Sequence, residues 1–136
     1  MATSTYLSNP TVTVNSVALT GFATAATLER TNTAQDTTVF GNSARVYSAT
    51  IEDNTLTVTL FMTYATAEVY ATLATLVGTS TTVVVKPTSA ATSGTNPAFT
   101  LTGTYLETLP VINTTLGEIS SIDITFTGGV YTAAVV

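Results

Sequence analysis

The chain has 136 residues, of which only 8% are charged, with three Lys or Arg, eight Asp or Glu, a net charge of −5 and neither His nor Cys. That size fits one domain with a real core. The missing residue types exclude disulfides, thiolate zinc sites, His-assisted nucleophilic catalysis and an imidazole pH switch. Arg30, Arg45 and Lys86 are scattered, so they form no cationic cluster able to grip a phosphate backbone. Thr makes up about a quarter of the residues. A β-branched hydroxyl residue suits a pleated, half-buried surface, and a surface this rich in Thr and this poor in charge suits extensive contact between subunits.

Residues 1–9 are polar and without a lasting period, and are expected to be an N-terminal arm ordered by contact with a neighbour. No positive charge followed by an apolar run marks a leader, and no apolar stretch approaches the length that spans a bilayer, so the chain is expected to stay in the cytoplasm unless carried out in a larger particle. PTVTV alternates with period two, Asn15-Ser16 makes a turn, and VALTGF opens a second short strand with a kink at Gly21. Residues 22–30 continue as a strand carrying Phe22 and Leu28 on its apolar face, with a register blurred by the Ala run. Residues 31–50 lack a convincing period. Their ends resemble strand extensions and their middle holds the turn residues Asn32, Asp36, Gly41 and Asn42. Val39-Phe40 in that excursion is either a docking element or a return to the chain's own core.

The clearest strand follows at 50–62, where Leu56, Val58 and Leu60 alternate with Thr55, Thr57, Thr59 and Phe61. Glu52 and Asp53 stand just before it. Adjacent residues of an extended chain point to opposite faces, so a metal-ligating or acid/base pair is disfavoured against a solvated turn. Thr63 to Gly78 breaks the pattern: Val69, Leu73, Leu76 and Val77 fall on one face of a helix over about 67–77, with Thr66 as N-cap, Glu68 in the first turn and Gly78 as its stop. Strands are expected again at 79–87, 98–109 and 119–128, separated by a Ser/Thr/Gly/Asn loop and a turn. In the second of these, Phe99, Leu101, Gly103 and Tyr105 share one side. Phe22, Phe61, Phe99 and Phe126 are assigned to core packing. GVYTAAVV, from 129 onward, reads as an apolar tail. No nucleophile has a base beside it, Gly94 alone makes no phosphate cradle, and the carboxylates are spread singly, so neither an enzyme nor any cofactor or metal is expected.

Several phrases, in this order, resemble the tail tube (major tail) proteins of long-tailed bacteriophages: Val39-Phe40-Gly41-Asn42-Ser43-Ala44-Arg45 ahead of the acidic pair and Thr-rich strand, the helix ending at Gly78, Val83-Val84-Val85-Lys86-Pro87, Asn96-Pro97-Ala98-Phe99, and Gly117-Glu118 before the last strand and Gly128-Gly129. The resemblance covers roughly residues 12–129. It implies a mainly β (α+β) fold in a single domain, with two packed antiparallel sheets forming a sandwich or half-barrel and one flanking helix. It further implies self-assembly into homo-hexameric rings that stack into a hollow conduit, with other tail proteins at the tube ends. Such a particle belongs to a virion, is assembled in the host cytoplasm and needs no membrane. Genomic DNA would pass without specific binding along an acidic, Thr-coated wall. By position, the loop 31–46, with Gln35, Asp36, Val39, Phe40, Asn42 and Arg45, would reach a neighbouring subunit or ring, and Asp36, Glu52, Asp53, Glu107 and Asp123 are candidates for the lumen. The Thr-rich surface without catalysis also fits a capsid decoration protein, and the Tyr and Phe content a carbohydrate-binding or adhesin module.

Overall fold

The computed structural model describes residues 10–135; the arm expected at 1–9 lies outside that range. Eight strands and one short helix follow in order: β1 Thr11–Val14, β2 Val17–Ala18, β3 Ala23–Asp36, β4 Tyr47–Phe61, α1 Val69–Leu73, β5 Ser80–Lys86, β6 Ala98–Leu106, β7 Ser121–Thr127 and β8 Val130–Ala134. The fold is mainly β, as expected. Its packed layers belong to one antiparallel sheet of order β2-β1-β5-β6-β7-β4-β3, with β8 bonded to β6. Asn15 and Ser16, both at positive φ (49° and 66°), form the turn between β1 and β2, the geometry that matches a tight hairpin to strand twist.

The core forms because alternation turns one face of each strand inward. Leu56, Val58 and Leu60 of β4 and Ile122, Ile124 and Phe126 of β7 lie against Val12 and Val14 of β1, Val83 of β5 and Leu101 of β6, and all are buried. Burying each such side chain contributes about 1.5–3 kcal/mol. Of the four aromatics assigned to the core, Phe126 is fully buried and Phe22 packs against the cluster, whereas Phe99 is half-buried and stacked on Tyr131 outside it, and Phe61 is 39% exposed, on the Thr-bearing side of β4.

α1 is five residues long, shorter than its periodicity suggests. Val69, Leu73 and Leu76 enter the core as expected, while Val77 stays partly exposed. Thr66 does not cap it: the N-cap position is Glu68, with no side-chain cap bond, and the Thr63 hydroxyl accepts from the Val69 N–H at 3.3 Å. Two features cut the helix short. Ala67 sits at φ 63° just before it, and beyond it Val77 bridges to Leu106 while the Gly78 N–H donates to the Leu106 carbonyl at 2.8 Å. Sheet pairing thus overrides local helix propensity.

A bend in the middle of the sheet alters two sequence-based expectations. Between Thr81↔Thr104 and Val83↔Leu101 the single residue Thr82 faces Thr102 and Gly103, a bulge made possible by Gly103 at φ 75°. The alternation therefore inverts: Leu101 is inward before the bulge, Thr104 and Leu106 are inward after it, and Tyr105 turns out, 43% exposed. Buried Thr104 is satisfied by donating to the Thr127 carbonyl at 3.1 Å. Opposite the bulge, Gly128 (φ 73°) and Gly129 (φ 93°) join β7 to β8. Leu106↔Phe126, Tyr105↔Thr127, Thr102↔Val130 and Ala98↔Ala134 keep one register, so residues 126–134 are a single bent strand along β6, and the stretch read as a tail is part of the chain's own sheet. A Cβ on Gly129 would lie 2.9 Å from the Thr102 carbonyl oxygen and from the Thr104 nitrogen. At Gly103 a Cβ meets nothing within 4 Å. Gly103→Ala is therefore expected to lose about 1 kcal/mol from backbone strain alone, and Gly129→Ala upwards of about 2 kcal/mol. Urea unfolding of the two variants side by side checks the order.

Candidate assembly interface

Register places three strands abreast with their hydroxyl residues on one face. Thr27 stands opposite Thr57, which stands opposite Thr125; Glu29, Thr55 and Thr127 form the next row. Thr59 pairs with Asp123, whose Oδ1 accepts the Thr59 hydroxyl at 2.6 Å. The same rows one residue on, such as Leu28, Leu56 and Phe126, form the core side. Asp53, paired with Thr31, shares the parity of the Thr face, and Glu107 lines a cleft beside it with Asp123, Thr125 and Thr127.

None of the three cations stands on this face. Arg30 has the opposite parity and binds Glu52 at 2.8 and 3.2 Å, with its guanidinium 4.3 Å from the centre of the Tyr131 ring. Lys86 donates to the Ala90 carbonyl, and Arg45 pairs with Asp36. The structure thus divides the five acidic candidates. Asp53, Asp123 and Glu107 gather beside the Thr rows, whereas Asp36 and Glu52 are each held by an arginine elsewhere. Glu52 and Asp53 point to opposite faces, within a strand rather than in a turn. Glu29 was missed. Its parity with Thr27 was the available signal, masked by the Ala run that blurs the register of β3.

The face has two open margins. Among the described residues β3 is bonded to β4 alone, and it carries neither Pro nor Lys along Ala23–Asp36. β7 is bonded to β4 along its whole length, yet on its other side only Phe126 and Thr127 meet β6, so Ser121–Thr125 has no strand neighbour there among the described residues. Long unpaired edges of this kind are templates for pairing with another chain.

Residues 31–46 are not a loop throughout. β3 and β4 continue past the end of β7 as a two-stranded arm, leaving residues 37–46 as its tip. The arm begins where Asn54 is anchored to the glycine bend: the Gly128 N–H donates to the Asn54 carbonyl at 2.8 Å, and Asn54 Nδ2 donates to the Gly129 carbonyl at 3.1 Å. A bulge interrupts the pairing between Asn32 and Ala34. It is stitched by the Thr50 N–H to Asn32 Oδ1 (2.9 Å) and by the Thr50 hydroxyl to the Thr33 carbonyl (2.7 Å).

Of the six candidates along the arm, Gln35 pairs with Ser48 within the ladder, Asp36 and Arg45 bridge the base of the tip at 2.8 Å, and Asn42 shapes the turn by accepting the Val39 N–H at 2.8 Å. Val39 and Phe40 are left outward, Phe40 at 106% of full exposure, so Phe40 does not return to the core. Thr38, through its hydroxyl and its backbone N–H, and then Arg45 hold the Asp36 carboxyl below the usual carboxylate range; Arg30 does the same for Glu52. Groups with depressed folded-state values stabilise the arm above the ordinary carboxylate range and lose that contribution as pH falls through the lowered value. Acidification is expected to lower amide protection factors, corrected for the pH dependence of intrinsic exchange, in the arm before it lowers those of the core. By NMR titration, Thr38→Ala should raise the Asp36 midpoint more than Arg45→Ala does.

No family model matches this chain, and no curated protein matches it. Among solved structures, a chain in the cryo-EM structure of the anti-feeding prophage (AFP) baseplate, 6-fold symmetrised, matches with a TM-score of 0.59 and 12% identity, covering 99% of this chain and 98% of that one. At that identity the likeness establishes a shared fold over essentially the whole length of both chains.

Proposed function

We propose that this chain is a structural subunit of a phage-type tail, whose copies join side by side into hexameric rings that stack into a hollow conduit, the Thr-covered face of β3, β4 and β7 lining the bore. The observation that carries this reading is that face itself: a polar, cation-free surface whose two outer strands each leave a backbone edge unpaired among the described residues. Joining the β3 edge of one copy to the β7 edge of the next satisfies both sets of backbone groups, and repetition of a heterologous contact closes a ring when the rotation allows. The likeness to a chain of a six-fold symmetrised prophage baseplate supports both a tail-associated role and that symmetry.

The role is passive rather than enzymatic. Glu29, Asp53 and Asp123 repel a duplex over about one Debye length, roughly 10 Å at 0.1 M salt, while the hydroxyls hold water at the wall. Other tail proteins would close the ends of the conduit, and genomic DNA would pass without specific contacts.

Electron microscopy of the purified chain at rising concentration should show six-fold rings or hollow tubes; a monomer at every concentration overturns the reading. The lining has its own test. Wild-type assemblies should not retain duplex DNA at 0.1 M salt, whereas a Glu29→Lys, Asp53→Lys, Asp123→Lys variant should still assemble and retain DNA in a salt-dependent way.

A further inference from the structure

A groove runs along the core side of β3, beyond the buried cluster. It consists of two hollows, of about 290 and 260 Å³, that meet at Phe99. The first lies between Ala26 of β3 and Val85 and Pro87 at the end of β5, the second between Leu28 of β3 and Tyr131 of β8. The rings of Phe99 and Tyr131 stack with centroids 6.1 Å apart and planes inclined by 20°, and both remain half-buried. Apolar groups therefore line a groove that no described residue fills. Each hollow has one cation. Arg30 in the second is neutralised by Glu52. Lys86 in the first donates to the Ala90 carbonyl, which occupies a donor and leaves the charge unmatched, so among the described residues it is the one cation without a carboxylate partner.

The chain also presents apolar turns that no part of it covers. At the arm's tip Asp36 and Arg45 pair with each other beside Val39 and Phe40, so the tip brings no net charge. The other turn is different. In Thr115-Leu116-Gly117-Glu118 the Glu118 N–H donates to the Thr115 carbonyl at 3.0 Å and Gly117 takes φ 85°, which leaves Leu116 at the apex, 102% exposed. Polar residues and proline ordinarily fill such an apex. Ile112 and Ile119 widen the patch, at 71% and 76% exposed. Glu118 forms no ion pair among the described residues, and no cation follows Lys86 in the sequence. The loop is held in place by Tyr64 donating to the Val111 carbonyl at 2.8 Å and Asn113 Nδ2 donating to the Ser121 carbonyl at 2.7 Å, so little ordering is lost on contact.

We infer that the groove takes the Leu116 turn of a second copy of this chain, Leu116 seating beside Phe99 and Val85 with Glu118 facing Lys86. The contact matches the groove's unpaired cation to the turn's unpaired carboxylate, and it removes from water apolar groups that a single chain leaves exposed. Charge selects this turn over the arm's tip, which has no carboxylate to spare. Groove and turn are different surfaces, so each copy keeps one of them free for a further copy and the contact propagates. It uses side chains on the core side of β3 and leaves the backbone edges of β3 and β7 available. The inference thus goes beyond the conduit reading and requires only that copies associate.

Charge reversal tests it. Lys86→Glu and Glu118→Lys, each alone, bring like charges together and should weaken self-association in sedimentation velocity by at least about ten-fold at about 0.1 M salt. An equimolar mixture of the two should restore it, because each variant's groove then meets the other's turn with opposite charge; that rescue needs both variants folded and so excludes loss of structure as the cause. Single reversals that associate as the unaltered chain does, or a mixture no better than either variant, overturn the inference and give the groove to another occupant. Electron microscopy of the same samples separates it from the ring proposal: rings formed equally well by the single reversals and the unaltered chain remove this contact and leave the rings, whereas association that depends on the mixture and shows no rings keeps the contact and removes the rings.

Discussion

The organisation of this chain depends on β4 being flanked by two strands over half its length and by one over the other half. Where β3 and β7 both bond to it, from Thr55 to Leu60, one side of the three-strand unit is aliphatic and must be covered, and the remaining strands and α1 cover it. The other side carries Thr rows that need no cover. Where β7 stops, no further described strand flanks β4 on that side, and past Asn54 and Arg30 the two strands extend as a largely exposed arm. Core, hydroxyl surface and arm are thus three outcomes of one pairing pattern.

The end of β7 is set by the glycine bend. Gly103, Gly128 and Gly129 lie side by side across two strands, and only residues without a Cβ permit the close approach of Gly129 to the Thr102 and Thr104 backbone. The bend directs the last strand along β6 instead of along the arm. It also brings Tyr131 over Arg30, fixing the guanidinium that in turn holds Glu52. Acidic groups on the core side of the sheet are therefore neutralised, whereas those on the Thr side are not.

Much of this was legible in the residues. Period-two alternation in 55–61 and 121–127 gave both faces of the central strands, because strict alternation of Thr with Leu, Val or Ile leaves one solution. The Asn15-Ser16 turn and the stop at Lys86-Pro87 were equally plain. What the sequence hid were places where backbone geometry resets a period: the bulge at Gly103 that exposes Tyr105, the bulge between Asn32 and Ala34 that conceals a strand inside an apparent loop, and the bridge at Val77 that shortens α1. Glu29 escaped notice because Ala25 and Ala26 give no contrast between faces. The sorting of acidic residues into paired and unpaired groups required knowing which strand lies beside which, and no local pattern encodes that.

The arm also behaves as a ruler. Residues 47–54 of β4 project beyond its last partner in β7, roughly 26 Å at 3.3 Å per residue. Lengthening both of its strands by two residues would move the tip outward by about 6.6 Å and leave every side chain on its present face, whereas a change of one residue would turn the tip over. The reach of the arm is therefore adjustable only in paired steps, and the spacing between whatever it connects is quantised by the pleat.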